Sequence, residues 1–150
     1  MTRAEIAGRL DASRALYDEL VAYARSDFPY EVCGLLAIRD GHLERFYPVR
    51  NAERSMTAYR MDPESMGPPY LAIDQDDELD LGVFHSHPHT EAFPSATDVA
   101  EAAYNPHAVF LICSLQDPDN PVIRVFDIRD GRITERVFYV DGEEAPTGSR

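Results

Sequence analysis

Apolar residues recur along the chain with two different periods, and these periods predict its elements. Within residues 12–26, Leu16, Leu20 and Tyr23 stand three or four positions apart, which is typical of a helix that buries one face. Pro29 follows, and a proline disfavours helical backbone in the residue before it. We therefore expect one helix to end before Pro29 and shorter apolar segments to form strands after it.

Short apolar runs in the rest of the chain predict strands that are joined mainly by hairpins. The pairs Asp40-Gly41 and Asp130-Gly131 are strong hairpin signals, because both central positions of such a turn need a positive φ. Hairpin-joined strands with a few helices favour an α+β fold with a mixed, mostly antiparallel sheet flanked by helices. The predicted strands are residues 34–38, 43–49, 58–61, 81–84, 107–115, 123–128 and 133–140, with a partly helical stretch at 62–70 and a helix that begins at Ser95.

The length and composition indicate a single domain. A chain of 150 residues that is 44% hydrophobic can bury one core and is too short for two ordinary domains. We assign residues 1–141 to this domain. Residues 142–150 contain Gly, Pro, Ser and charged residues without an apolar period, so the sequence predicts a disordered tail there.

The net charge of the chain argues against two classes of binding partner. A net charge of -13 argues against a surface for nucleic-acid phosphates and against binding to an anionic membrane. The densest acidic run, residues 74–78, is interpreted as a solvated loop ahead of a strand. A docking edge for basic residues of a carrier protein is the alternative interpretation of this run.

The two cysteines indicate a protein without disulfides. Together with the lack of a signal peptide and of a membrane-length apolar run, they lead us to expect a cytoplasmic location. Cys33 and Cys113 both lie in apolar runs, where a free cysteine packs as a small hydrophobic residue. Cys33 stands two residues from Glu31, but we interpret it as a packing residue rather than a nucleophile.

One segment in the middle of the chain carries residues that suit a metal site. Because side chains two apart on a strand point to one side, His85 and His87 face the same point at a strand end. Ser95 and Asp98 stand where a helix N-cap and its N3 residue belong, so Asp98 can turn back toward that strand end. Two imidazoles, one carboxylate and a water make the open tetrahedral site of a hydrolytic zinc. Ser95 and Asp98 by themselves indicate only a capping box.

A hydrolytic zinc site also needs a base that accepts a proton from the attacking water. Glu31 is the candidate, because it lies between the first helix and an apolar strand, where a charged side chain has no packing role. The alternative interpretation is a solvated loop glutamate.

These residues together resemble the JAMM, or MPN-plus, metalloprotease motif. The resemblance extends over nearly the whole chain and implies a JAMM/MPN fold, with a curved sheet and the zinc at one rim. The positions that match the motif are Glu31, His85, Ser86, His87, Pro88, Ser95 and Asp98.

The resemblance implies a role for each of the chemically active positions. His85, His87 and Asp98 are expected to bind one Zn²⁺. Glu31 is expected to be the general acid/base, and the hydroxyl of Ser95 is expected to stabilise the oxyanion.

The resemblance also implies a substrate. Residues 51–55, 59–60 and 90–98 are similar to the small bacterial Mec-type peptidases, which release cysteine from the C-terminus of a ubiquitin-like sulfur carrier protein. We therefore expect a zinc metallopeptidase of cysteine biosynthesis that hydrolyses the peptide bond at the Gly-Gly tail of such a carrier and releases cysteine or a similar adduct. The alternatives are a deubiquitinase-like isopeptidase that removes modifiers from lysine and, in another class, a non-catalytic MPN scaffold.

The remaining histidines are not expected to bind the metal. Pro88 interrupts the strand, so His89 is predicted to lie in a loop over the site, either solvated or in contact with substrate. His42 belongs to a hairpin turn and His107 opens a strand, and neither has a partner nearby in sequence.

Overall fold

The computed structural model describes residues 8–148, which form one nine-stranded sheet and three helices. None of these helices has the length and apolar character needed to cross a membrane. The helices are α1 (Arg14–Ser26), α2 (Pro63–Asp74) and α3 (Ala96–Ala102). The strands are β1 (Leu10–Ala12), β2 (Cys33–Arg39), β3 (His42–Val49), β4 (Leu79–His87), β5 (Val109–Ser114), β6 (Val122–Arg129), β7 (Arg132–Arg136), β8 (Phe138–Val140) and β9 (Glu143–Glu144).

The sheet is mixed, with the strand order β7-β6-β5-β4-β2-β3-β1-β8-β9. Strand β4 lies antiparallel to β2 and parallel to β5, and β1 lies parallel to β3 and β8. The other neighbouring strands pair antiparallel. The predicted α+β fold with a mixed, mostly antiparallel sheet is therefore confirmed.

Both predicted hairpin turns are present. Asp40 and Gly41 have φ values of 54° and 77°, and Asp130 and Gly131 have values of 51° and 76°. A turn with positive φ at both central residues matches the twist of the strands that it joins, so each Asp-Gly pair holds its hairpin in register.

Helix α1 covers one face of the sheet. It begins after the N-cap Ser13, whose hydroxyl accepts a hydrogen bond from the N–H of Leu16 at 3.1 Å. Its buried side chains share one core with alternate residues of β2 and β4, among them Leu36 and Phe84. The buried residues of α1 recur at helical spacing and are Tyr17, Leu20, Val21 and Ala24.

The opposite face is covered by α2 and α3, and it carries the candidate site. Val83 of β4 belongs there to a core that also contains Ile73 of α2 and Ala102 of α3. Strand β4 continues with His85 and His87 at the same two-residue period, so both imidazoles lie on this face.

The strand predicted at residues 58–61 is wrong. The segment makes one isolated bridge, between Met61 and Asn51. Beside this bridge the N–H of Arg60 donates to the side-chain oxygen of Asn51 at 3.0 Å. The side chain of Asn51 therefore takes the hydrogen bond that the main chain of a neighbouring strand would make. For this reason the pairing does not extend beyond the single bridge.

The tail differs from the prediction over residues 142–148, which are ordered. Glu143–Glu144 forms β9 and pairs with β8, and Ala145 is buried. The N–H of Ala145 donates to the carbonyl of Phe138 at 2.8 Å. Main-chain hydrogen bonds hold this segment in place. A strand of two residues is too short to produce an apolar period, so it cannot be recognised from the sequence. Residues 149–150 lie outside the described part of the chain.

The acidic run at residues 74–78 forms the end of α2 and the turn before β4. Arg39 partly neutralises it by donating to Asp76 at 3.0 Å and to Glu78 at 3.3 Å. This arrangement agrees with the loop interpretation, and a docking role for the run stays a prediction.

Cys33 and Cys113 are free and buried. Burial raises the pKa of each thiol to about 12, and Cys33 donates to the carbonyl of Val49 at 3.4 Å. Because a thiol with such a pKa forms almost no thiolate at neutral pH, the interpretation of Cys33 as a packing residue is confirmed.

Candidate active site

The end of β4 and the first turn of α3 bring His85, His87 and Asp98 together. The Nε2 atoms of His85 and His87 are 3.1 Å apart. Oδ2 of Asp98 lies 3.2 Å from Nε2 of His85 and 3.0 Å from Nε2 of His87. These three atoms, each of which can bind a metal ion, come from one strand and one helix. They form a nearly equilateral triangle.

The size of this triangle suits a tetrahedral metal ion. Zinc binds imidazole nitrogen and carboxylate oxygen at about 2.0 to 2.1 Å, so the edge between two ligands of a tetrahedron is about 3.3 Å. The three observed edges of 3.0, 3.1 and 3.2 Å lie close to this value. His85, His87 and Asp98 therefore form a candidate metal site with three protein ligands.

The hydrogen bond between His87 and the carbonyl of Glu91 shows which ring nitrogen of His87 carries the hydrogen. Nδ1 lies 2.8 Å from the carbonyl oxygen of Glu91, which can only accept, so Nδ1 carries the hydrogen. Nε2 of the neutral ring then presents a lone pair to the carboxylate oxygen of Asp98, which also only accepts. A cation between these two atoms removes their repulsion, and this donor set fits a metal ion.

Asp98 is held in place by the capping box of α3. The hydroxyl of Ser95 accepts the N–H of Asp98 at 3.0 Å, and the N–H of Ser95 donates to Oδ2 of Asp98 at 2.9 Å. Burial favours protonation of Asp98, but the adjacent imidazoles of His85 and His87 and the N–H of Ser95 outweigh it and hold the pKa of this carboxyl far below its usual range. The predicted N-cap is confirmed, and it orients the oxygen that faces both imidazoles.

Glu31 lies beside this cluster in a buried position. It is 4% exposed, and within residues 8–148 its Oε1 has no hydrogen-bond partner. Cys33 of β2 is opposite His85 of β4 in the antiparallel register, and extending that register by two residues places Glu31 opposite His87. Structure and register therefore place Glu31 at the cluster and not in a solvated loop.

The environment of Glu31 favours its protonated form. Burial raises the pKa of Glu31 to about 8; electrostatic interaction with His87 opposes this effect and that with Asp98 adds to it. A carboxyl group with such a pKa can both accept and release a proton near neutral pH, which is what a general acid/base requires.

His85 is positioned by an aromatic ring. The ring of Tyr59 stacks on the imidazole with centroids 4.6 Å apart and an angle of 29° between the planes. His85 is 1% exposed, and its Nδ1 has no hydrogen-bond partner in the described part of the chain. Burial lowers the pKa of His85, so its imidazole stays neutral, as metal binding requires.

Burial also disfavours the charged form of His87, although the adjacent carboxylate of Asp98 and the hydrogen bond to the carbonyl of Glu91 raise its pKa overall. The two imidazoles therefore differ in their surroundings. A hydrogen bond orients His87, while ring stacking orients His85.

Sequence reasoning assigned no structural role to two residues that hold the site together. The buried hydroxyl of Ser86 accepts the N–H of Val32 at 2.9 Å and so fixes the segment of Glu31 against β4. Asn51 donates from its side-chain nitrogen to the carbonyl of Glu31 at 3.1 Å. Ser86 could have been found from the alternation on β4, because a polar residue between two histidines points to the opposite, apolar face. Asn51 offers no such signal.

The other histidines lie away from the three donor atoms. His89 is exposed and meets the ring of Phe28 edge to face, with centroids 5.4 Å apart. Nδ1 of His42 lies 3.8 Å from a carboxylate oxygen of Asp11. His107 is exposed at the turn before β5. The predicted loop position of His89 is confirmed, and contact with substrate stays a prediction.

Residues 13–129 match the family model described as prokaryotic homologs of the JAB domain. The chain belongs to this family. A relative from Mycobacterium tuberculosis called CysO-cysteine peptidase is 42% identical over 127 residues, which are 83% of this chain and 86% of that protein. A relative from Haloferax volcanii called desampylase is 37% identical over 113 residues, which are 71% of this chain and 81% of that protein.

A solved structure of a protein from Desulfitobacterium hafniense shares the fold. It superposes with a TM-score of 0.75 and 34% identity and covers 89% of this chain and 94% of that protein. The resemblance to the JAMM/MPN-plus family, close to Mec-type peptidases, is thereby confirmed. The protein is a hydrolase of this metallopeptidase family and not a non-catalytic scaffold.

Proposed function

We propose that this protein is a zinc-dependent peptidase that cleaves the C-terminal tail of a ubiquitin-like sulfur carrier protein and releases cysteine or a similar adduct. One observation carries the proposal: three donor atoms within 3.2 Å of one another lie beside the buried carboxyl group of Glu31. The relative called CysO-cysteine peptidase, at 42% identity, supports the choice of substrate.

In this proposal His85, His87 and Asp98 hold one Zn²⁺ per chain. A zinc ion with three protein ligands supplies hydroxide at neutral pH and polarises the scissile carbonyl. Each ligand is held by a contact outside the triangle, to Tyr59, Glu91 and Ser95 respectively. Such contacts keep the donor atoms oriented and reduce the cost of assembling the site.

Glu31 is the general acid/base of the proposed reaction. It accepts a proton from the attacking water and transfers that proton to the nitrogen of the leaving amine. A buried carboxyl group beside the metal ligands, with an Oε1 that has no other partner in the described residues, suits both transfers. A positioned base of this kind contributes about 10²- to 10⁴-fold in rate.

Ser95 stabilises the oxyanion of the tetrahedral intermediate in the same proposal. Its oxygen already accepts the N–H of Asp98, which fixes the hydroxyl at the start of α3 and leaves its hydrogen to donate. One donor aimed at a developing oxyanion contributes about 10²- to 10³-fold in rate.

The test uses two forms of a carrier with a Gly-Gly tail, one ending there and one extended by cysteine. Mass spectrometry should show that the protein removes the cysteine from the extended form, and that Glu31→Gln protein and chelated protein do not. Loss of the cysteine without any effect of chelation contradicts the proposal.

Hydrolysis of an isopeptide bond between a ubiquitin-like modifier and lysine is the second candidate function. The 37% identical relative called desampylase is the observation that favours it. Conjugates of the same carrier to a lysine side chain therefore belong in the assay, and preferential cleavage of these conjugates would select the second candidate.

A further inference from the structure

A cavity of about 480 Å³ lies on the sheet face that carries the metal ligands. Val83 lines it, and His85 is the next residue of β4 on that face. Thr97, which precedes Asp98 in α3, lines it as well, and so does Tyr59, whose ring stacks on His85. The cavity therefore adjoins the candidate metal site from three separate segments.

The lining of the cavity suits a small apolar or thiol-bearing group. Its volume falls within the range of roughly 300 to 1,000 Å³ that is common for small-molecule sites. Methionine sulfur is polarizable and adapts to the shape of a bound side chain. The apolar residues that line the cavity include Leu35, Met61, Met66, Val83 and Phe110.

Arg60 supplies the only cationic side chain among the residues that line this cavity. Within residues 8–148 its guanidinium has no ion-pair partner. Its backbone is fixed, because its N–H donates to Oδ1 of Asn51 at 3.0 Å and its carbonyl accepts the N–H of Ala52 at 2.8 Å. An arginine with a fixed backbone and a guanidinium free of ion pairs is suited to bind a carboxylate.

The same asparagine connects this arginine with the proposed base. Nδ2 of Asn51 donates to the carbonyl of Glu31, while Oδ1 accepts from the N–H of Arg60. The side chain of Asn51 therefore holds the main chain of Arg60 close to the main chain of Glu31. This constraint suits a substrate in which a carboxylate lies close to the scissile bond.

We infer that this cavity binds the leaving amino acid and that Arg60 recognises its free α-carboxylate. The inference rests on the proposed function and deepens it, because only a C-terminal amino acid has an α-carboxylate next to the scissile bond. A lysine within a protein has none. Glu53 and Glu101 also line the cavity and repel anions, so Arg60 has to offset them for one carboxylate, and a second one on the side chain of the leaving amino acid is disfavoured.

The test compares two carriers that differ in one group, a C-terminal cysteine as the free acid and the same cysteine as the carboxamide. The wild-type protein should cleave the acid with a kcat/KM about 10- to 100-fold higher, as expected for a charge-assisted hydrogen bond. Arg60→Ala should bring this ratio close to one by slowing cleavage of the acid, and Arg60→Lys should retain part of it.

Arg54→Ala is the matched control, because Arg54 is exposed in the same segment and does not line the cavity. This variant should keep the wild-type ratio. Equal cleavage of acid and amide by the wild-type protein overturns the inference, as does a ratio that survives Arg60→Ala or falls equally in Arg54→Ala. Metal-loaded protein that cleaves neither carrier contradicts the proposed function itself, which is a different outcome.

Discussion

The ring of Tyr59 stacks on the imidazole of His85, and this contact takes the place of a hydrogen bond. A histidine that binds a metal is usually oriented by a hydrogen bond from its second ring nitrogen, as His87 is by the carbonyl of Glu91. His85 has no such partner among residues 8–148. We conclude that the aromatic ring orients this imidazole.

Replacing Tyr59 tests that conclusion. Tyr59→Ala should lower the zinc affinity about 10- to 100-fold, the range found when an orienting partner of a metal ligand is removed. Tyr59→Phe keeps the ring and should keep the affinity. Competition with a chromogenic chelator measures both variants, and equal affinity of Tyr59→Ala and wild-type protein would show that stacking has no positioning role.

Glu31→Gln should separate metal binding from catalysis. The amide retains the shape of the side chain but cannot accept the proton of the attacking water, so kcat should fall about 10²- to 10⁴-fold. The control is Glu19→Gln, which changes an exposed glutamate of α1 and should leave kcat unchanged. Full activity of Glu31→Gln protein would remove Glu31 from the mechanism.

Ser86→Ala should destabilise the fold near the site. The change leaves the buried N–H of Val32 without its acceptor, which costs about 1 to 3 kcal/mol in the free energy of unfolding. Ser26→Ala serves as control, because Ser26 is exposed and water can replace its bond. Denaturant unfolding measures both variants, and equal midpoints would contradict the importance assigned to Ser86.

The protonation of Glu31 should make the stability of chelated protein depend on pH. The pKa is about 8 in the folded chain against an ordinary value of 4.5, so between these values the folded state binds more protons than the unfolded state. The free energy of unfolding should therefore fall as the pH rises from about 4.5 to about 8, by on the order of 4 kcal/mol.

Glu31→Gln removes this group and should remove its contribution to the slope. The relevant measurement is the difference in unfolding free energy between wild-type and Glu31→Gln protein across that pH range, with chelator throughout. A difference that is independent of pH would mean that Glu31 keeps an ordinary pKa in the fold.

Much of the candidate metal site could be predicted from the sequence because its geometry is local. His85 and His87 are two residues apart on one strand, and Asp98 lies one turn into a helix that Ser95 caps. The spacing of the two histidines follows from the two-residue period of a strand, and that of Ser95 and Asp98 follows from the geometry of a helix N-terminus. Only the approach of α3 to the end of β4 depends on the tertiary fold.

The residues that support the candidate metal site could not be predicted in the same way. The position of Glu31 depends on the register between β2 and β4, which no residue spacing specifies; its place between a helix and a strand makes it a candidate, and only the resemblance to the motif implies that it faces the metal. Tyr59 and Arg60 lie in an irregular segment that the side chain of Asn51 holds, so they have no period to detect. The strand predicted at residues 58–61 is wrong for the same reason.

The metal content of three purified proteins shows whether His85, His87 and Asp98 form a zinc site. Wild-type protein and Glu31→Gln protein should each contain close to one zinc per chain by inductively coupled plasma mass spectrometry. Asp98→Asn protein should contain almost no zinc. The neutral amide is a poor zinc ligand, and the substitution removes the negative charge that the Asp98 carboxylate brings to the three ligands. Equal zinc in all three proteins, or activity in metal-free wild-type protein, would contradict the account.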